Sequence, residues 1–318
     1  MLLSIVVPAY NESEGIEEFH RKLLLPSIKK FTNYEILYVN DGSKDDTLSK
    51  LSTIARSDKK GRVKVINLSR NFGKEIATTA GITTAHGDAI IILDADGQHP
   101  PKLIVDFVKK WEAGAQVVIG VRNSNTEEGF VKKFGSKIFY KLFNSYSGAA
   151  IVPRSTDFRL IDRAVQEEFI RCQERNRITR GLIDWLGFTR DYIEFDSPAR
   201  LAGEASYRTT QLVKLALNSF VSLSLRPLEI LAGIGAVVTS LSFLAGLFVI
   251  LEQFLLGDPL KFHITGAAML GIFITFLVGI VLTSQGIIAV YLSHIYTQTQ
   301  ARPLFVIDTK RSVNLHEK

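Results

Sequence analysis

An α/β domain of mainly parallel sheet, followed by a hairpin of two transmembrane helices, is the fold class that the sequence predicts. Three observations predict it. Over residues 1 to 200, short runs rich in Ile and Val alternate with stretches of helical character. Polar motifs follow several of those runs, where ligands bind in open parallel sheets. The last third of the chain holds two long apolar runs without a charge.

The elements follow in order. The opening residues lack the basic region and apolar length of a signal peptide and read as a first strand over 4–7. Strands are predicted over 35–40, 63–68, 89–93 and 116–120, all nearly continuous in Ile and Val. Helices are predicted over 13–30, 45–57, 74–85 and 101–112, with Ser13 and Asp45 as N-caps and Pro100-Pro101 as a helix entry. Residues 131–144 and 210–225 are amphipathic; each suits the headgroup layer of a bilayer or an ordinary surface helix.

Ile230 to Leu251 runs 22 positions without a charge and Ile264 to Leu292 runs 29, each exceeding the ~20 residues that span a bilayer core. Gly257-Asp258-Pro259 between them is turn chemistry. A pair of buried core helices is the other reading. Arg208, Lys214 and Arg226 precede the runs and Arg302, Lys310 and Arg311 follow them, which by the positive-inside rule puts both termini in the cytoplasm. The predicted division is a domain over 1–208, a juxtamembrane amphipathic helix over 209–226, two transmembrane helices within 227–296 and a cytoplasmic tail over 297–318.

Composition narrows the chemistry. The chain of 318 residues carries 38 Lys and Arg against 32 Asp and Glu, a net charge of +6, modest enough that its distribution decides the partner. Its mean hydropathy of +0.15 reflects the apolar block. Cys172 is the only cysteine, which excludes an intramolecular disulfide and any Cys-built zinc or iron-sulfur site. Neither a dinucleotide-binding G-x-G-x-x-G nor a P-loop occurs.

The fourth predicted strand ends in Asp94-Ala-Asp96-Gly-Gln98. Two carboxylates two residues apart at the end of a buried strand repel unless a cation joins them. Mg²⁺ or Mn²⁺ suits Asp94, Asp96 and the Gln98 amide; a cap and a solvated loop carboxylate are the alternative. The first strand leads into Pro8-Ala-Tyr10-Asn-Glu12 and the second into Asp41-Gly-Ser. Parallel strands bring both loops to one edge, where Tyr10 can stack on a base while Glu12 and Asp41 accept hydrogen bonds from base or ribose; Asp-Gly-Ser is equally a turn. Arg122, ending the fifth strand, and Lys132, Lys133 and Lys137 form a basic group that suits a phosphate or an anionic lipid.

The motifs VVPAYNE at 6–12, DGSKDDT at 41–47, LSRNFGKE at 68–75, DADGQHPP at 94–101 and DFRL at 157–160 stand in this order. Together they resemble the inverting family 2 glycosyltransferases, and within them the branch of dolichyl-phosphate mannose synthase and the bacterial undecaprenyl-phosphate glucosyltransferases. The resemblance implies a Rossmann-like GT-A fold and a nucleotide-sugar donor bound by Pro8, Tyr10, Glu12, Asp41, Lys74, Asp94 and Asp96. It places Mg²⁺ or Mn²⁺ at Asp96 and Gln98 with Asp94, and Asp157 beside the acceptor. Arg122, Lys132, Lys133, Lys137 and Arg200 are the candidates for the acceptor phosphate, and Asp157, Asp96 and Arg122 for catalysis. The family segment R-x-x-G-x-S-x-Y is present as Arg200 to Tyr207, with Ala205 where Ser is the rule.

A lipid monophosphate is largely dianionic at neutral pH, its second pKa lying near ~6, so it is already nucleophilic, and Asp157 is read as orienting the acceptor or, alternatively, as a general base. The expectation is inverting transfer of a hexose, glucose from UDP-glucose foremost, to polyprenyl phosphate at the cytoplasmic face of a bacterial inner membrane. Its partners are the donor, the acceptor and the bilayer, with no nucleic acid; homo-oligomerisation stays open. The same reaction with GDP-mannose and a non-catalytic part in sugar-lipid transport are the alternatives, and the carboxylate motif favours catalysis.

Overall fold

The structure is a computed structural model that describes residues 1–123, 154–175, 177–198 and 266–315, together with positions 244 and 251. The chain divides into two units, one of Met1–Arg208 with Arg302–Lys318 and one of Thr209–Ala301.

The first unit is built on a seven-stranded sheet. Its strands are β1 (Leu3–Ala9), β2 (Tyr34–Asn40), β3 (Val63–Asn67), β4 (Ala89–Ile92), β5 (Val117–Arg122), β6 (Ser155–Asp162) and β7 (Arg190–Phe195), in the order β3-β2-β1-β4-β6-β5-β7. The first four are mutually parallel, β6 runs antiparallel to both its neighbours, and β7 is parallel to β5. Strands β1 and β2 are buried along their whole length, as their unbroken apolar runs require of strands covered on two faces. Successive side chains alternate between faces: Ile5 and Val7 join one core cluster with Ile36, Tyr38 and Ile91, while Val6 joins the other with Leu37, Val39 and Ile90.

Helices α1 (Ile16–Glu18, continuing through a π-helical Phe19–Leu24 into Leu25–Ile28), α2 (Thr47–Ser57), α3 (Lys74–Thr84), α4 (Ile104–Glu112), α5 (Arg163–Arg171) and α6 (Thr179–Trp185) cover the sheet. Helix α3 approaches β1 so closely that a Cβ on Gly81 would lie 2.3 Å from Val6 Cγ1; this position requires glycine for space. Two capping expectations are corrected. Helix α1 starts at Ile16 without a side-chain cap. The Asp45 carboxylate accepts hydrogen bonds from the Thr47 N–H, the Thr47 hydroxyl and the Ser13 N–H, closing a local turn that ties two loops rather than capping α2.

Strands β6 and β7 complete the sheet beyond the five that the sequence predicts. The expected tail over 297–318 is, from Arg302 on, part of the first unit. It forms antiparallel bridges from Val313 to Val65 and from Ile307 to Leu68, covering the outer edge of β3.

In the second unit the described chain is helix α7, Gly266–Thr299, 34 residues long, with no Asp, Glu, Lys or Arg in its sequence. Several of its side chains lie outside the described residues. Among the described residues no helix is long and apolar enough to cross a membrane. The first apolar run, apart from Leu244 and Leu251, the connecting turn and both amphipathic segments lie outside the described residues.

Candidate active site

Sheet topology brings the motifs together. β1 to β4 are parallel, so the segments that follow them emerge at one edge. Because β6 is antiparallel to β4, with Ile92 opposite Arg159, the residues just before Arg159 lie beside the residues just after Ile92. This places Asp157 near Asp94, although 63 positions of sequence separate them. β5 runs antiparallel to β6, with Val121 opposite Ser155, so Arg122 ends at the same edge.

Lys74 sits where these segments meet. Its Nζ donates to the Asp94 carboxylate at 2.7 Å and to Asp157 Oδ2 at 3.0 Å. Burial alone would raise the Asp157 carboxyl, but the ammonium of Lys74 and the charge of Arg180 outweigh it and hold the group at about 2. Desolvation would lower Lys74, yet the two carboxylates keep it above the usual lysine range. Lys74 and Asp157 are therefore both charged throughout the neutral range. Of the side-chain surface, 41% of Lys74 and 27% of Asp157 stays accessible, so a ligand can reach the pair.

The loops around the triad are fixed from within. The Asp94 N–H donates to His99 Nδ1 at 3.0 Å, which makes His99 the Nε2-protonated tautomer. His99 is buried, which lowers its pKa, and its ring stacks on Phe158 with centroids 5.2 Å apart. Asp94, Asp96 and Gln98 are half-buried, while Ala95, Gly97 and His99 are buried, so each of the three polar residues keeps some accessible surface. The Gln98 N–H donates to Asp96 Oδ1 at 3.0 Å. This set of hard oxygen donors suits a divalent cation, although among the described residues no group of three or more His, Cys, Asp or Glu side chains is arranged to hold one. Asp94 is shared with Lys74.

Asp41, expected to contact base or ribose, is seen in the structure to hold a loop. It is 2% exposed, and its two oxygens accept the N–H groups of Phe72 at 2.7 Å and Gly73 at 2.9 Å. Burial raises its pKa, opposed by these two bonds. Asp41 thus fixes the loop that presents Lys74. Its neighbour Gly42, at φ +62, passes so close that a Cβ there would lie 2.4 Å from the Arg70 carbonyl carbon. Tyr10 is 41% exposed, and Pro8 is buried in β1. The Glu12 N–H donates to Thr47 Oγ1 at 2.8 Å, and Asn11 is tied to Ser43 and Lys44, so the Tyr10 loop is joined to the Asp41 loop. Arg122 is half-buried at its strand end, and among the described residues its buried Nε has no hydrogen-bond partner. Lys132, Lys133, Lys137 and Arg200 lie outside the described residues.

Residues that sequence reasoning passed over complete the site. Behind Asp157, Arg159 and Asp184 form an ion pair 2.7 Å apart, 1% and 0% exposed. Arg159 also donates to the Thr156 and Arg180 carbonyls. Glu75 accepts the Thr179 N–H at 2.7 Å; burial and then the nearby Asp157 charge raise its pKa. Lys74, Glu75, Asp157, Arg159, Thr179 and Arg180 line one small pocket. Of the residues passed over, Glu75 and Arg159 stand as charged letters inside the LSRNFGKE and DFRL motifs, while Thr179, Arg180 and Asp184 lie outside all five motifs.

The sequence model described as Glycosyl transferase family 2 matches residues 4–169, more than half of the chain. The chain belongs to glycosyl transferase family 2. This family 2 chain is 40% identical over 305 residues to the uncharacterized glycosyltransferase sll0501 of Synechocystis, covering 96% of this chain and 94% of that protein. It is 36% identical over 311 residues to the bactoprenol glucosyl transferase of Shigella phage SfV, covering 98% and 99%. Among solved structures, mannosyl-3-phosphoglycerate synthase from Rubrobacter xylanophilus superposes on the family 2 chain with a TM-score of 0.51. The match has 18% identity over 70% of this chain and 72% of that one, a likeness of fold.

Proposed function

We propose that the protein transfers glucose from UDP-glucose to a polyprenyl phosphate, with inversion at the anomeric carbon. The observation that carries the reading is the convergence of Lys74, Asp94 and Asp157 at the strand edge. The acceptor and sugar are supported by the likeness to the bactoprenol glucosyl transferase, which extends across 98% of the chain and so includes its apolar third.

In this reading the Tyr10 ring stacks on the base. Asp94, Asp96 and Gln98 would hold a divalent cation, which when bound neutralises the charge that develops on the leaving diphosphate. Lys74 adds a fixed positive charge at the same edge and sets the angle of both carboxylates it touches. An oxygen of the acceptor phosphate forms the new bond to the anomeric carbon as the bond to the diphosphate breaks. The acceptor arrives ionised, so no proton has to be removed; Asp157, ionised and held by Lys74, orients it. Arg122 offers the acceptor phosphate a guanidinium at that edge.

We further read the two charge-free runs as a membrane hairpin with both termini and the catalytic unit in the cytoplasm of a bacterium. The flanking basic residues support this orientation. The experiment that tests the reaction incubates detergent-solubilised protein with polyprenyl phosphate, Mg²⁺ or Mn²⁺ and, separately, radiolabelled UDP-glucose and GDP-mannose, followed by organic extraction. Label in the lipid phase from UDP-glucose is expected. Label from GDP-mannose alone overturns the donor, and label from neither overturns the reaction.

A further inference from the structure

Residues 302–315 lie along β3 and reach past its end. The Val65 and Val313 N–H groups exchange hydrogen bonds with each other's carbonyls, both at 3.0 Å. The Asn67 N–H donates to Ser312 Oγ at 3.0 Å, and the Asp308 N–H to the Asn67 carbonyl at 2.8 Å. Beyond the strand, the Ser69 N–H donates to the Val306 carbonyl at 2.9 Å. Phe305, Ile307 and Leu315 pack against the core cluster that contains Ala77 and Ala80 of α3, while Val313 packs against the cluster on the opposite face. The Arg175 guanidinium donates to the Arg302 carbonyl.

We propose that this segment is a strap that positions Lys74 for transfer. Asn67 and Lys74 are joined by six residues, and their backbone is held from two directions. Asp41 holds Phe72 and Gly73, and the strap holds Ser69 and the end of β3. Mere cover for an edge strand would end with β3. This one continues into the loop, on the side where Asp94 and Asp157 converge, and its apolar side chains reach the core beneath the helix that Lys74 begins. At its other end, Arg175 links it to the segment whose Thr179 N–H is received by Glu75, the neighbour of Lys74. Displacing the strap frees one of the two supports of Lys74 while β1, β2 and β4 keep their own pairing.

The kinetic arm of the test rests on the glucosyl transfer reading; the exchange arm does not. Ile307→Asp, which places a charge against the core, is made in the full chain in detergent. Backbone hydrogen exchange is followed by mass spectrometry, with kcat and the KM for each substrate measured alongside. Exchange over 68–75 is expected to rise about tenfold with β1 and β4 unchanged, and kcat to fall about tenfold with both KM values within about twofold. Val313→Ile is expected to leave all of these at wild-type values. If Ile307→Asp raises exchange in β1 and β4 as well, Ser312→Ala, which removes the hydroxyl that accepts from the Asn67 N–H and donates to the Asp308 carbonyl within the strap, is read by the same criteria with about threefold effects. Faster exchange confined to 302–315, with 68–75 and kcat unchanged, overturns the proposal. Absence of transfer by the wild-type chain overturns the transfer reading alone, and exchange over 68–75 still decides whether the strap holds the loop.

Discussion

Lys74 Nζ donates to Asp157 Oδ2 at 3.0 Å, joining the first turn of α3 to a strand 83 positions further along the chain. The same ammonium holds Asp94, so one side chain sets the angle between the carboxylate motif after β4 and the Asp157 segment of β6.

Lys74→Ala is therefore expected to lower kcat by about 10²-fold, the scale on which misplaced reacting groups lose rate. Lys74→Arg, which keeps the charge but moves it, should recover part of the loss. Steady-state kinetics with each substrate varied separately checks this, and unchanged kcat in Lys74→Ala removes Lys74 from the machinery.

The pH dependence carries a sign. Asp157 is held at about 2 in the folded protein, below its ordinary 3.8. Its contribution to stability is therefore present above the ordinary value and disappears only as pH falls toward 2. Between pH 5 and 9 it does not titrate. The acidic limb of kcat/KM should accordingly lie near ~6, where the acceptor phosphate takes up a proton, and should persist in Asp157→Asn at a lower rate. A limb that vanishes in that variant would make Asp157 the titrating group.

Asp96→Asn should reduce turnover by roughly two to three orders of magnitude while leaving thermal unfolding nearly unchanged, because Asp96 is half-buried at a strand end and not part of the core. EDTA should reproduce the loss in the wild type, and Mg²⁺ or Mn²⁺ should reverse it. Turnover that survives both treatments rules out a cation at Asp94, Asp96 and Gln98.

Arg159 and Asp184 are almost entirely buried. Removing Arg159 leaves the buried Asp184 carboxylate with the longer contact to Arg190, at 3.9 Å, at a cost of about 3 kcal/mol, so Arg159→Ala should lower Tm by on the order of ten degrees. Replacing both with apolar residues should recover most of that loss, which calorimetry or thermal fluorescence can read.

The orientation in the membrane is tested by single cysteines at Asp258 and at Lys310 in a Cys172→Ser background. A membrane-impermeant thiol reagent applied to sealed, right-side-out vesicles should label position 258 and spare position 310. Equal labelling of both removes the two-span hairpin.

Much of the fold was legible because parallel strands buried on two faces announce themselves as apolar runs, and β1 to β5 lie on the predicted segments. Strands β6 and β7 were not read, since Ser155–Asp162 and Arg190–Phe195 mix charged and apolar residues and acquire strand character by pairing with β5. Lys74, Asp94 and Asp157 could be named from their motifs, but their contact depends on the antiparallel turn of β6. Asp41 shows the limit more sharply: its letters suit ligand and turn equally, and its grip on the Phe72 and Gly73 N–H groups has no sign in the sequence. The strap carries no local signal at all, because its partners were laid down more than 200 residues earlier.

That separation has a consequence for biosynthesis. The ribosome finishes β3 early, then makes the remaining strands and the whole of Thr209–Ala301 before it reaches the residues that cover β3. At ~5–20 residues per second, the nascent domain carries an open strand edge for roughly ten to fifty seconds, and an open edge invites pairing with another chain. A defect that stalls the emerging apolar segment lengthens this interval. Such a variant would be lost to aggregation during synthesis, although every residue of its reaction centre is intact.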